Sequence, residues 1–355
     1  MKSVFLESHN IKNPNFGFGQ FNYHLIKGLY NAKIEDFKLT LHSKNTPALK
    51  KEFGNYFDYK NYSSLSRHPL FRIRKKYDVW HSLNQNIKIE PYHNIPYVMT
   101  IHDVNFIEEE SSDMTHKRNI RFKEKLNRCN AITYISEFAK TSTHQFFDVP
   151  NIPEYVIYNG NPIREIIITD DFIPKLVPKK PFLFFIGELT ERKNIHTLVE
   201  LLHLLPDYEL VLSGKNNTRY VNDRVAESIS KTQTKNRVLF TGKISEADKQ
   251  YYLKHCTAFV FPSLREGFGL PAIEAMRFGK PVFLANRTSL PEIGGEYAFY
   301  WDTFEPEHMF QVFEEGMHTY QTNLEDYKEA YISRAKSFDW DASAREYENV
   351  YRTLL

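Results

Sequence analysis

A chain of 355 residues exceeds one ordinary core and suits two domains of similar size. Apolar and charged fractions of 41% and 25% exclude wholesale disorder, and a net charge of +2 argues against nucleic acid as the main partner. Two cysteines, Cys129 and Cys256, are too few for a disulfide framework, lack metal-ligand spacing and fit a reducing compartment.

Short β-branched and aromatic runs alternate with segments of helical period, the signature of parallel sheets wrapped by helices. Val4-Phe5-Leu6 is the first strand; Gly17-Phe18-Gly19-Gln20 follows as a loop before a helix from Phe21 to Tyr30. Arg67-His68-Pro69-Leu70-Phe71-Arg72-Ile73-Arg74-Lys75-Lys76 mixes five cations with three large apolar side chains. It reads either as a solvated segment or as a contact for anionic lipid heads. Strands follow at Val79-Trp80-His81, Tyr97 to Ile101, Ala131 to Ile135 and Tyr155-Val156-Ile157. Asn161 to Lys180, with Pro162, Pro174 and Pro178, reads as a linker.

The second half repeats the pattern at Pro181 to Ile186, Tyr208 to Leu212, Val238-Leu239-Phe240, Ala258 to Phe261 and Val282-Phe283-Leu284. Trp340 to Leu355 is a closing helix with Ala344, Tyr347, Val350 and Tyr351 on one apolar face. The charge divides unevenly, +5 over residues 1–175 and −3 over 176–355, so only the first half has an electrostatic reason to approach an anion. No run nears the roughly 18–20 apolar residues that span a bilayer. The opening Met1 to Glu7 is too short for a signal-peptide core, so a cytoplasmic location is expected, with peripheral membrane contact through 67–76 as an added option.

In tandem doubly wound domains, ligands sit beyond the carboxyl ends of the strands. The most informative strand end is Phe261-Pro-Ser-Leu-Arg-Glu266-Gly-Phe-Gly-Leu-Pro-Ala-Ile-Glu274, running on to Gly279 and Pro281. Gly267 and Gly269 permit close backbone approach, and Pro271 suits the first turn of a helix expected to run through Phe278 with Gly279 just past its end. Such a helix start receives oxyanions and phosphates. Gly187-Glu188-Leu189-Thr190-Glu191-Arg192-Lys193-Asn194 adds a fork donor and a point charge suited to a diphosphate leaving group. Gly214 and Gly242 close two further strands, and Thr100-Ile101-His102-Asp103 places a histidine at a strand's carboxyl end. The Asp-x-Asp, Asp339-Trp340-Asp341, precedes the closing helix, where Asp341 is expected as N-cap rather than metal ligand.

The segment from Glu266 to Glu274 resembles the Glu-x7-Glu signature of the retaining family 4 glycosyltransferases, which have the GT-B fold. The similarity spans the second half and, more loosely, the first. It implies an α/β architecture of two Rossmann-like domains with parallel sheets facing across a cleft. The expected boundaries are 1–168 with the crossover helix 340–355 as acceptor domain, and 169–339 as donor domain. The resemblance implies that Glu266 contacts the donor sugar, and that N–H groups of Phe268, Gly269 and Leu270 hold sugar and diphosphate oxygens. It further implies that Glu274 binds the ribose and that Arg192 and Lys193 grip the phosphates. Gly214 and Ile244 would line the nucleotide pocket, Gly17 and Gly19 would approach the diphosphate from the first domain, and His102 would stand beside the sugar. Other members carry an arginine where this chain has Glu188, which shifts weight to Arg192 and Lys193.

The expected partners are a nucleotide-diphosphate sugar and a glycan or lipid-linked acceptor, with no cofactor and no metal requirement. GDP-mannose is favoured because the Arg-Lys-Asn form of the phosphate loop resembles bacterial mannosyltransferases; UDP-sugars and GDP-fucose stay open. An epimerase or hydrolase of the same fold, or a non-catalytic nucleotide-sugar-binding subunit, are the alternatives. Retention of Glu266, Arg192 and Lys193 disfavours the last.

Overall fold

A parallel strand covered on both faces must be apolar nearly throughout, and runs such as Phe182 to Ile186 and Ala258 to Phe261 have that composition. The computed structural model describes residues 1–13, 17–216 and 218–355. It divides into one unit of Met1–Pro162 with Asp339–Leu355 and another of Ile163–Phe338.

The first unit holds a seven-stranded parallel sheet, ordered β3-β2-β1-β4-β5-β6-β7. Its strands are β1 (Lys2–Glu7), β2 (Phe37–Ser43), β3 (Asp58–Asn61), β4 (Val79–Ser82), β5 (Tyr97–Ile101), β6 (Ala131–Tyr134) and β7 (Glu154–Val156). The second unit holds a six-stranded parallel sheet, ordered β10-β9-β8-β11-β12-β13. Here the strands are β8 (Phe182–Ile186), β9 (Glu209–Ser213), β10 (Val238–Gly242), β11 (Ala258–Phe261), β12 (Val282–Ala285) and β13 (Phe299–Trp301). The order reverses between β1 and β4 in one sheet and between β8 and β11 in the other. In sheets of this kind a ligand usually sits beyond the carboxyl ends of the strands at the point of reversal.

Three strands were not legible in the sequence. β2 reads Phe-Lys-Leu-Thr-Leu-His-Ser and β3 Asp-Tyr-Lys-Asn, so polar residues conceal them; β13 is three residues long. Two helix boundaries also differ from expectation. The helix Gly17–Asn31 starts four residues before Phe21, so Gly17 and Gly19 stand in its first turn rather than in a loop. A Cβ on Gly19 would lie 1.8 Å from the Asn13 carbonyl oxygen, so glycine is what lets the preceding segment press against this helix. The helix Leu270–Met276 ends two residues before Phe278, and its chain leaves through a turn at Gly279 (φ +64°).

The closing helix Trp340–Leu354 belongs to the first unit, with Trp340, Ala344, Tyr347, Val350 and Tyr351 buried as its periodicity predicts. Its cap is Asp339, not Asp341: the Asp339 carboxylate accepts the Ala342 N–H at 2.7 Å, because the helix already begins at Trp340. Inside the sheet, the His81 ring meets the Tyr351 hydroxyl at 2.8 Å and Thr100 Oγ1 at 2.7 Å, which fixes the helix to β4 and β5. Cys129 and Cys256 are both buried free thiols, one in each unit. Among the described residues no helix is long and apolar enough to cross a membrane.

Candidate active site

In the second unit, the loops after β8 and β11 supply three charged side chains to one point. Lys193 Nζ is hydrogen-bonded to Glu266 Oε1, and Arg192 Nη1 lies 3.7 Å from Glu266 Oε2. The Lys193 and Glu266 side chains are only 9% and 12% exposed, whereas Arg192 retains 33%. Burial alone would raise the Glu266 carboxyl; the adjacent Lys193 and Arg192 outweigh it and hold the group below the usual carboxylate range. The trio carries one net positive charge in a largely dry setting, so it favours a further anion.

The loop that carries Glu266 is held from several sides. Leu264 N–H donates to the Arg192 carbonyl at 2.9 Å, and Glu266 N–H donates to Thr288 Oγ1 at 3.1 Å. Ser289 Oγ lies 3.0 and 2.9 Å from the carbonyl oxygens of Glu266 and Phe268. Gly269 (φ +107°) caps the helix that starts at Leu270, with Pro271 in its first turn as the sequence indicated. The Phe268 ring is buried edge-on against Phe338, so only its backbone remains to serve a ligand.

Glu274 sits in a different ion pair. Its Oε1 accepts from Lys249 Nζ at 2.8 Å, Lys249 also meets Glu246 at 2.9 Å, and burial raises the Glu274 carboxyl above its ordinary value despite the lysine. The strand-end glycines are laced together: Gly187 N–H donates to the Ser213 carbonyl at 3.0 Å and Gly214 N–H to the Gly242 carbonyl at 2.8 Å. Ile244 follows, half-buried against the core.

Gly214 (φ +144°) has no room for a side chain, since a Cβ would lie 1.8 Å from the Gly187 carbonyl oxygen. Gly214→Ala is therefore expected to cost about 3 kcal/mol by combined strain and overpacking. Urea unfolding would measure it, and a midpoint equal to the parent's would reject that reading.

In the first unit, His102 follows β5 and is 5% exposed. Its Nε2 lies 2.9 Å from the Leu83 carbonyl oxygen, which can only accept, so Nε2 carries the proton and Nδ1 is the accepting nitrogen. Its backbone N–H donates to Gln85 Oε1 at 3.1 Å, and the rings of Phe18 and Phe21 meet it edge-on. Burial lowers the His102 pKa to about 4 and that of His81 to about 3.

Both folded values lie below the unfolded one of roughly 6.5, so both imidazoles are neutral at pH 7. Their contribution to stability is present above that unfolded value. It is lost as pH falls toward about 4 for His102 and about 3 for His81. Stability should then fall by about 1.4 kcal/mol per pH unit for each histidine in that window. In His102→Gln the slope between pH 6 and 4 should be shallower by one proton; an unchanged slope would contradict the assignment.

Sequence reasoning missed a second charged group at the end of β1. Glu7 is fully buried and meets His42 Nδ1 at 2.8 Å and His9 Nδ1 at 2.7 Å. Burial would raise its carboxyl, but the hydrogen bonds to His42 and His9 prevail and lower it. The only signal was the Glu7-Ser8-His9 sequence, while His42 lies on the unrecognised β2. Lys249, Thr288 and Ser289 were missed because nothing in the sequence links them to Glu274 or Glu266.

Segment 67–76 forms no continuous helix. Two single turns, Ser64–Arg67 and Pro69–Phe71, leave Leu70 and Phe71 72% and 56% exposed. Ile73 is buried and Arg72 pairs with Glu90 at 3.2 Å, so these two do not join the exposed set.

Residues 167–330 match the family described as glycosyl transferases group 1. The O-antigen chain mannosyltransferase B of Escherichia coli is 25% identical, with the match covering all of both chains. Among solved structures, sucrose-phosphate synthase from Thermosynechococcus elongatus superposes with TM-score 0.75 at 18% identity, over 100% of this chain and 99% of that one. Anabaena Alr3699/HepE in complex with UDP and glucose gives TM-score 0.73 at 17% identity, over 99% of this chain and 100% of that one.

Proposed function

We propose that this chain, a GT-B glycosyltransferase whose residues 167–330 belong to the group 1 glycosyl transferases, moves a mannosyl unit from GDP-mannose to a growing glycan with retention of configuration. The observation that carries the reading is the buried Glu266 held by Lys193 and Arg192 at the point where the second sheet's order reverses. Similarity to an O-antigen mannosyltransferase supports the choice of sugar.

When the sugar–phosphate bond breaks, negative charge grows on the leaving diphosphate. A fixed arginine and lysine stabilise that charge without reorganising. Glu266 accepts hydrogen bonds from sugar hydroxyls, and Lys193 between it and the diphosphate offsets their repulsion. The backbone of Gly267 to Leu270 faces the phosphates, Glu274 takes the ribose hydroxyls, and Gly214 and Ile244 bound the nucleotide. On the first unit, His102 offers Nδ1 to a substrate hydroxyl, beside the helix start that carries Gly17 and Gly19.

The acceptor in this reading is a lipid-linked glycan reached from the cytoplasmic side. Leu70 and Phe71, with Arg67, Arg74, Lys75 and Lys76 nearby in sequence, would rest on anionic lipid at about 1 kcal/mol per cation.

Titration calorimetry with GDP, UDP and ADP, followed by donor-dependent nucleotide release with and without glycan acceptors, tests the assignment. GDP should bind best, and acceptor should accelerate release from GDP-mannose. Preference for UDP would remove the donor, and release indifferent to every acceptor would replace transfer by hydrolysis.

A further inference from the structure

The first unit contains a cavity of about 350 Å³ whose wall includes Lys88, His116, Lys117, Arg118 and Arg121, with Glu110 as its one carboxylate. Glu110 is already engaged by Arg118, which also donates to Asn86 Oδ1 at 3.0 Å and stacks over the Phe106 ring. Among the described residues, no carboxylate within ion-pair distance is shown for Lys88, Lys117 or Arg121.

The helix Lys117–Leu126 adds a second, independent reason to expect an anion. A helix amino end carries partial positive charge and ordinarily attracts acidic or capping side chains. Here the first turn has no acid, His116 makes no side-chain cap, and Lys117 adds a full positive charge, while that of Arg118 is met by Glu110. Cations at that end of the dipole repel it, and a bound anion converts the repulsion into attraction.

The cavity is also tied to a residue already placed in the site. Gln85 lines it, and the Gln85 side chain receives the His102 N–H and donates to the Asp103 carbonyl at 2.7 Å. Beneath, the buried Lys125 donates to the carbonyls of Gln85 and Ile87 at 2.9 and 2.8 Å, which fixes this loop.

We infer that this cavity is a binding site for a phosphate or diphosphate group of the acceptor, held by Lys88, Lys117, Arg121 and the amino end of the helix Lys117–Leu126. The anion site stands on this geometry alone; its assignment to the acceptor rests on the transfer reading above.

Amide hydrogen exchange of the full chain with inorganic pyrophosphate tests it. Protection is expected in residues 113–122, separately from protection in 187–194 and 264–274 on the second unit. Lys117→Ser combined with Arg121→Ser should weaken the first by at least about tenfold and leave the second unchanged. Farnesyl diphosphate in a parallel arm separates the sources. Protection at lower concentration than pyrophosphate assigns a prenyl-linked diphosphate, and equal or weaker protection assigns a soluble phosphate ester. Absence of protection in 113–122, or protection that survives the double substitution, overturns the site. Loss of protection confined to 187–194 and 264–274 would instead count against the donor assignment and leave this site standing.

Discussion

Glu266→Gln should lower turnover by about 10²–10³-fold while leaving the protein folded. Glutamine preserves the shape of the side chain and removes its charge. Lys193 and Arg192 then lose their counterion, and a nucleoside diphosphate should bind as well as before or more tightly. The predicted pattern is thus a fall in kcat with KM constant or reduced, read by donor-dependent nucleotide release. Lys193→Met is the complementary variant: it leaves the buried carboxylate only the more distant, more exposed Arg192, so it should weaken diphosphate binding and destabilise the fold by up to about 3 kcal/mol. If Glu266→Gln turned over at the parental rate, the cluster would be a structural ion pair and nothing more.

Trp340→Ala should cost about 3–5 kcal/mol, the usual range for emptying a large buried aromatic site. Trp340 is 1% exposed at the first residue of the closing helix. Its ring stacks on His24 at 5.6 Å and meets Phe21 edge-on at 5.7 Å, both on the helix Gly17–Asn31. One turn further on, Ser343 Oγ donates to the Tyr158 carbonyl at 2.6 Å, so the chain's entry into this helix is fixed by polar as well as apolar contacts. The loss should appear in unfolding of the first unit, seen as faster exchange in 17–31 and 340–354, with exchange in 182–213 preserved. A uniform effect on both units would contradict it.

Much of the second unit was legible because its strands are covered on both faces. Full burial demands uninterrupted apolar runs, and Phe182 to Ile186 or Ala258 to Phe261 announce themselves. Gly269, Pro271 and Gly279 marked the helix beside Glu266 because turns and caps have local chemistry that few residues satisfy. The first unit was harder to read. β2 carries buried Thr40, His42 and Ser43 that are polar because neighbours exist to pair some of them, and no local rule supplies those neighbours.

Local pattern was enough for the alternation of strand and helix, the strand-end positions of Arg192, Lys193, Glu266 and His102, and the apolar face of the closing helix. Those are short-range matters of period, cap and turn. It took the folded chain to bring Lys193 against Glu266 across 73 residues, Lys249 against Glu274, and Glu7 against His9 and His42. A buried charge needs a partner wherever the fold can bring one, and strand order, not spacing along the chain, sets which residues meet.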